Sequence, residues 1–156
     1  MKGIDQLLTT GHQLRRLYWR IFEPTMLGVR ALIVRNDQIM LVRHTYLKGW
    51  YLPGGRVERG ETALAAVCRE VAEECALIVK RAQLSAIYSN IEQNRNDHIA
   101  LFFIDDFEVG EVSRLHKFEI AEANFFNLNN LPASLTPATN RRLEEYRRQQ
   151  FDNPYW

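Results

Sequence analysis

A group of acidic residues on one predicted helix constrains this chain more than any other feature. Residues 62–74 contain no Pro or Gly and many helix-forming residues, and Thr62 is a suitable N-cap, so we predict a helix from Thr62 to Glu74. Helical neighbours lie three and four residues apart, so Glu70, Glu73 and Glu74 share one face, opposite an apolar one. Three adjacent carboxylates repel one another, and Mg²⁺ or Mn²⁺ would relieve this repulsion because both ions take oxygen ligands. The helix is therefore predicted to bind a divalent metal.

The residues around this helix resemble the signature of the Nudix hydrolases, G-x5-E-x7-R-E-U-x-E-E-x-G-U, in which U is aliphatic. Eight positions match in register: Gly55, Glu61, Arg69, Glu70, Val71, Glu73, Glu74 and Leu77. The alternative interpretation, a solvated acidic helix face, is disfavoured because the glycine and Glu61 stand at the matching spacing. One position departs, since Ala76 replaces the last glycine of the signature. Glycine there closes the helix in a left-handed conformation, which would cost an alanine about 1–2 kcal/mol. Either the helix continues or Ala76 accepts this strain.

The resemblance implies a metal-dependent hydrolase that cleaves the pyrophosphate bond of a nucleoside diphosphate linked to another group. It implies that the carbonyl of Gly54 completes a metal site built by the three helix glutamates. It also implies that Arg69 holds neighbouring glutamates in place, including Glu61. The general base is either a glutamate of the signature, with Glu73 a candidate, or a carboxylate on a downstream loop. Glu119 precedes the last predicted strand and fits the second option, although it is equally compatible with a surface position.

Two alternative functions stay open at this stage. A Nudix domain can act as a nucleotide sensor without cleaving its ligand, which loss of metal-binding glutamates would favour, and none is lost here. Removal of a 5′ cap or pyrophosphate from RNA would call for a basic groove, and the net charge of +1 speaks mildly against it. The expected partner is a nucleotide or nucleotide-sugar substrate rather than a nucleic acid. No downstream pattern identifies which one.

Candidate substrate-binding residues flank the acidic helix in the sequence. Arg43 and His44 end the second predicted strand, where Arg43 could reach a phosphate and His44 a base or ribose. Gly55 lets the main chain approach a ligand closely because it lacks a Cβ atom. Arg95 and His98 belong to a polar loop between two later strands. Each charged residue also has a plainer interpretation as an exposed sheet or turn residue.

The remaining pattern predicts an α/β/α sandwich with a mixed β-sheet, in which the acidic helix covers one face and a C-terminal helix the other. The predicted strands span residues 29–34, 39–44, 83–91, 99–107 and 124–128, with a hairpin turn at Asn36 and Asp37. The last helix is predicted over residues 137–150 with Thr136 as N-cap and Pro137 at N1. Its four arginines interleave with glutamates, which predicts a solvated, salt-bridged face.

The chain is long enough for one domain, and we divide it into an N-terminal extension (1–24), a Nudix domain (25–150) and an aromatic tail (151–156). Residues 5–20 have apolar residues at helical spacing, which predicts an amphipathic helix. That helix could pack on the domain, form a homodimer contact or lie on a membrane surface. The aromatic tail could be buried on its own domain or on a second subunit.

The expected location of the protein is cytoplasmic. Cys68 and Cys75 would lie about 10 Å apart on one helix, which is too far for a disulfide and favours a reducing compartment. The sequence contains no run of 18 apolar residues, so we predict no membrane span. The N-terminus has no secretory signal pattern.

Overall fold

The computed structural model describes residues 25–91, 97–111 and 119–156. The predicted N-terminal helix and Arg95 lie outside these ranges. The described elements, in chain order, are β1 (Leu27–Arg35), β2 (Gln38–His44), α1 (Ala63–Cys75), β3 (Leu77–Asn90), β4 (Asp97–Val109), β5 (Ile120–Asn127) and α2 (Pro137–Arg148). Neither described helix has the length and apolar character that crossing a membrane requires.

The five strands form one mixed sheet in the order β3-β4-β1-β2-β5. β1 and β4 run parallel, and the other neighbouring strands run antiparallel. The predicted hairpin joins β1 to β2, and Asn36 and Asp37 both have positive φ, of 49° and 59°. Tight hairpin turns need this conformation at both central residues, and Asn and Asp tolerate it better than most residues.

Helices cover both faces of the sheet, which confirms the predicted α/β/α sandwich. Successive strand residues point to opposite faces, so β1 contributes to two cores. One core joins Val29 and Ala31 to Val67 and Val71 of α1. The other core lies on the opposite face of the sheet, which α2 covers, and contains Leu32 of β1.

β1 and β2 separate beyond their shared turn, and residues 50–57 enter the space between them. Tyr51 exchanges backbone hydrogen bonds of 2.9 and 3.0 Å with Val42 of β2. On the other side, Val29 N–H of β1 donates to the Gly55 carbonyl at 2.9 Å, and Ala31 N–H donates to that of Pro53 at 2.8 Å. The glycine loop is therefore held between two central strands, directly beside the N-terminal half of β1.

α1 begins as predicted, because the Thr62 hydroxyl accepts a hydrogen bond of 3.1 Å from Ala65 N–H. It ends at Ala76, which adopts the left-handed conformation with φ 54° and ψ 40°. Of the two expected outcomes, the strained alanine is the one observed. β3 then starts at Leu77 rather than at residue 83. The prediction missed this part because charged residues and register shifts interrupt the apolar alternation of an edge strand.

The prediction of a solvated face on α2 is wrong for two residues. Arg142 is 0% exposed and Glu145 is 2% exposed, and their side chains form an ion pair with an Nε–Oε2 distance of 3.0 Å. The Tyr88 hydroxyl donates to Glu145 at 2.6 Å, and the Arg142 guanidinium lies 3.8 Å from the Tyr88 ring centroid. Arg142 Nη2 also donates to Glu145 at 3.1 Å, so the pair can remain charged inside the fold although Nε itself has no hydrogen-bond partner among the described residues.

The aromatic tail supplies the cover that buries this pair. Ser89 N–H of β3 donates to the Pro154 carbonyl at 2.8 Å, and Trp156 N–H donates back to Ser89 at 3.1 Å. Arg142 also donates to the Tyr155 carbonyl at 3.0 Å. The tail therefore packs against β3 and α2 of its own domain.

Candidate active site

Two consecutive glycines line the site: Gly54 leaves no room for a side chain, and a side chain on Gly55 would displace the carboxylate of Glu70. A Cβ atom on Gly54, whose φ is +135°, would lie 2.2 Å from the carbonyl oxygen of Val29. A Cβ atom on Gly55 would lie 2.3 Å from Oε1 of Glu70. The loop backbone thus touches β1 on one side and a glutamate of α1 on the other, which brings the signature residues together.

Arg69 binds three glutamates at once. Its Nε and Nη2 atoms donate to the two oxygens of Glu61 at 2.9 and 3.0 Å. Its Nη1 atom donates to Glu70 at 2.8 Å and to Glu73 at 3.1 Å, and Nη2 also donates to the Arg56 carbonyl at 3.0 Å. The hydrogen bond from Arg69 lowers the pKa of Glu61, and the same contact raises the pKa of Arg69. Arg69 is therefore more than an i,i+4 partner of Glu73.

Glu74 has a different environment from the other glutamates of α1. It is largely buried, and it accepts a hydrogen bond of 2.8 Å from Gly54 N–H. Burial raises the pKa of Glu74 to about 7, while the Gly54 hydrogen bond and the charge of Arg30 oppose this rise. The negative charges of Glu70 and Glu119 add to it. A divalent cation would favour the charged carboxylate, so metal binding would compete with this proton.

The donor atoms of the site fit a hard divalent cation. They are the carboxylate oxygens of Glu70, Glu73 and Glu74 and the carbonyl of Gly54, and oxygen ligands are those that Mg²⁺ and Mn²⁺ prefer. In residues 25–91, 97–111 and 119–156, no three acidic, histidine or cysteine side chains already surround one point. The carboxylates are instead held by Arg69 and by the Gly54 amide. An ion would therefore have to draw them away from these partners.

His44 lies within electrostatic range of Arg30 and Glu119. Its Nδ1 atom is buried and has no hydrogen-bond partner among the described residues. Burial lowers the pKa of His44, the positive charge of Arg30 lowers it further, and Glu119 opposes both. The His44 ring centroid lies 5.6 Å from that of Tyr46 and 5.3 Å from that of Tyr51. His44 is thus part of an aromatic group with Tyr46 and Tyr51.

The other predicted site residues are less well placed to contact a ligand at this site. Arg43 is engaged on the sheet surface by an ion pair of 2.8 Å with Glu122. The Nδ1 atom of His98 lies 3.5 Å from the hydroxyl of Ser89 on β3. Glu119 is exposed, and its carbonyl accepts a hydrogen bond of 2.9 Å from Thr45 N–H, just beyond β2. Its charge acts on both Glu74 and His44, so the structure brings Glu119 to the site.

Arg30 is a site residue that the sequence analysis missed. A Cβ atom on Gly54 would lie 3.0 Å from the Cα atom of Arg30, so the two residues are in direct contact. Burial lowers the pKa of Arg30, and the charges of Glu74 and Glu70 oppose that change. The available signal was a single arginine inside the otherwise apolar predicted strand 29–34.

The mixed-sheet sandwich, the glycine loop and the arginine-bound glutamates together define the class of protein. A family description for the NUDIX domain matches residues 24–149, so the chain belongs to the Nudix family and is a Nudix-type pyrophosphohydrolase. The predictions of the family, the fold and an enzymatic activity are therefore confirmed.

Relatives with more specific names were also found. The chain is 37% identical over 118 residues to an ADP-ribose pyrophosphatase from Methanocaldococcus jannaschii, covering 73% of this chain and 69% of that protein. It is 31% identical over 131 residues to the NAD-capped RNA hydrolase NudC from Vibrio cholerae, covering 82% of this chain but only 46% of that one. Among solved structures, the MutT NUDIX hydrolase from Burkholderia pseudomallei is similar, with 29% identity, a TM-score of 0.67 and coverage of 78% of this chain and 97% of that chain.

Proposed function

We propose that this protein hydrolyses the pyrophosphate bond of a nucleoside diphosphate linked to a second group, with ADP-ribose as the first candidate substrate. The observation that carries the proposal is the network in which Arg69 binds Glu61, Glu70 and Glu73 while Gly54 N–H binds Glu74. It holds several carboxylates beside a glycine loop that a diphosphate can approach. The relative named ADP-ribose pyrophosphatase supports the choice of substrate.

In this proposal Glu70, Glu73 and Glu74 would bind Mg²⁺ or Mn²⁺, together with the carbonyl of Gly54. When bound, the ion supplies charge neutralisation for the diphosphate and lowers the pKa of a coordinated water. Arg69 positions the glutamates and offsets their mutual repulsion. Preorganised groups of this kind contribute to catalysis because they need not rearrange during the reaction.

Glu119 is our candidate for the general base, and Glu73 is the alternative within the signature. Glu119 is exposed, so it can reach a water molecule at the rim of the site. Its negative charge contributes to the raised pKa of Glu74. Glu73 already accepts a hydrogen bond of 3.1 Å from Arg69, so its carboxylate is less available to a water molecule. This difference supports Glu119.

His44 and Gly55 are the substrate-binding candidates that the geometry supports best. His44 lies next to Tyr46. Tyr46 is 66% exposed and offers an aromatic surface on which a nucleobase could stack. Arg43 would have to leave Glu122 to reach a phosphate. Roles for Arg43, Arg95 and His98 stay predictions, as do a homodimer and a cytoplasmic location.

The test is a panel of substrates assayed with Mg²⁺ or Mn²⁺: ADP-ribose, NADH, a nucleotide sugar, a deoxynucleoside triphosphate and NAD-capped RNA. We expect hydrolysis of at least one substrate in which a nucleoside diphosphate is linked to a second group, with ADP-ribose as the first candidate and no hydrolysis in excess EDTA. Glu74→Gln should lower kcat by about a thousandfold or more, because it replaces a ligand oxygen by a neutral amide. The matched control is Glu144→Gln, on the exposed side of α2, which should keep wild-type activity.

Robust turnover in EDTA, or a Glu74→Gln enzyme within a few-fold of wild type, would contradict the proposal. NAD-capped RNA is in the panel because the relative NudC carries that activity in its name. A strong preference for this substrate over ADP-ribose would make RNA decapping the better description.

A further inference from the structure

The side chain of Arg30 has a donor that the fold does not use. Its Nη1 atom is buried and has no hydrogen-bond partner among the described residues. Removing such a group from water without replacing its hydrogen bonds costs free energy, so buried polar atoms are almost always paired. The unpaired guanidinium nitrogen of Arg30 is therefore available to a water molecule or to a bound ligand.

Arg30 lies beside the proposed reaction site, next to the glycine loop. Its Cα atom lies against Gly54, whose amide binds Glu74. Its charge acts on Glu74, Glu70 and His44. Arg30 as a whole is only half-buried, so its position is not sealed from the protein surface.

The other arginine at this site cannot serve as the phosphate ligand without losing its present contacts. A guanidinium group has five N–H donors. Arg69 makes five hydrogen bonds, four to carboxylate oxygens and one to a carbonyl. Arg30 thus differs from Arg69 in having a donor left over for a ligand.

We propose that Arg30 binds a phosphate oxygen of the substrate's diphosphate through Nη1, from the β1 side of the glycine loop. The planar, permanently charged guanidinium is well suited to phosphate oxygens. The arrangement would place the diphosphate beside Gly54, which Arg30 contacts and whose amide binds Glu74. This inference rests on the proposed function, because it requires a substrate that carries a diphosphate.

The competing explanation is that Arg30 only offsets the negative charge of Glu70 and Glu74. Both explanations expect a change in activity when Arg30 is replaced, so activity alone does not separate them. Loss of a counter-charge would also weaken binding of the anionic ADP, so the two explanations are separated by Arg30→Lys, which keeps the positive charge. A lysine should fully replace a counter-charge, whereas it should only partly replace the planar guanidinium that hydrogen-bonds a phosphate.

The experiment measures binding of ADP and adenosine by isothermal titration calorimetry in EDTA, for wild type, Arg30→Gln and Arg30→Lys. The matched control is Arg35→Gln, an exposed arginine at the other end of β1 that lies over the rings of Phe107 and Phe125. We expect Arg30→Gln to weaken ADP binding by about tenfold or more, the usual size for a charge-assisted hydrogen bond, and adenosine binding by less than about twofold. Arg30→Lys should retain part of the ADP affinity, and Arg35→Gln all of it.

Kinetics on the hydrolysed substrate give a second readout, in which Arg30→Gln should change KM as well as kcat. Thermal melting checks that each variant is folded, and Arg30→Lys keeps the test valid if the neutral variant is not. Equal affinity of wild type and Arg30→Gln for ADP, in a wild-type enzyme that hydrolyses a pyrophosphate substrate, would overturn this inference and leave the proposed function intact. A wild-type protein that hydrolyses no member of the substrate panel would overturn both.

Discussion

The left-handed alanine at the end of α1 predicts that Ala76→Gly makes the protein more stable. Ala76 has φ 54° and ψ 40°, a conformation that costs an L-residue about 1–2 kcal/mol relative to a right-handed one. Glycine avoids this cost but loses about 0.5–1 kcal/mol more conformational entropy on folding. The substitution keeps the two backbone hydrogen bonds of this residue, to Ala72 and from Gly110, and removes only a half-buried methyl group.

The difference between these effects is a net gain of about 0.5–1 kcal/mol in the free energy of unfolding. For a chain of this length the gain corresponds to a rise in Tm of about 1–4 °C. Urea unfolding followed by circular dichroism would measure it at constant m-value. Turnover should stay within about twofold of wild type, because Ala76 contributes no side-chain group to the proposed metal site.

Two further variants are controls for the stability change of Ala76→Gly. Ala72→Gly lies inside the same helix, so it should destabilise the protein by about 1 kcal/mol. Gln149→Gly replaces the other left-handed helix cap, with φ 53°, but it loses a side-chain hydrogen bond to Tyr146 and should gain less. If Ala76→Gly gave no gain while Ala72→Gly lost stability as expected, the assumed strain at Ala76 would be refuted.

Two more predictions concern the site. Glu119→Gln should lower kcat strongly while KM changes little, and it should remove the acidic limb of the pH–rate profile if Glu119 is the base; a near-wild-type kcat would return that role to Glu70 or Glu73. Burial raises the pKa of Glu74 to about 7 in the metal-free protein, above its ordinary value of 4.5, so the folded state binds a proton that the unfolded state has released between these pH values. This group therefore makes the metal-free fold less stable as pH rises through that window. Mn²⁺ must displace the same proton, so its affinity, measured by calorimetry, should rise by up to about tenfold per pH unit below pH 7 and level off above it; a Glu74→Gln protein with the same pH dependence would contradict this assignment.

The helix and its acidic face could be predicted because the relevant interactions are local. Glu70, Glu73 and Glu74 lie within one and a half turns of a helix, so their common face follows from spacing alone. The cap at Thr62 and the hairpin turn at Asn36 and Asp37 are also set by neighbouring residues. The predictions of these elements agree with the structure because the elements do not depend on contacts with distant segments of the chain.

Long-range contacts account for what the sequence did not predict. Arg142 and Glu145 have the spacing of an ordinary surface ion pair, and only the tail at Tyr155 and the hydroxyl of Tyr88 bury them. Arg30 is a single charged residue in an apolar strand, and only the insertion of the glycine loop beside β1 places it at the glutamates. In both cases the partner is remote in sequence, so periodicity gives no indication of it.

The two arginines divide the task of stabilising the acidic cluster. Arg69 forms direct hydrogen bonds to Glu61, Glu70 and Glu73 and offsets their mutual repulsion. Glu74 does not share Arg69. It has one backbone N–H as a hydrogen-bond partner and the field of Arg30, and these are too weak to outweigh burial, so the pKa of Glu74 rises to about 7. Arg30 acts on Glu74 through its charge, and its Nη1 donor has no partner among the described residues. In the roles that we propose, the carboxylate that Arg69 does not hold would bind the metal and the unused guanidinium donor would bind a phosphate, both beside Gly54.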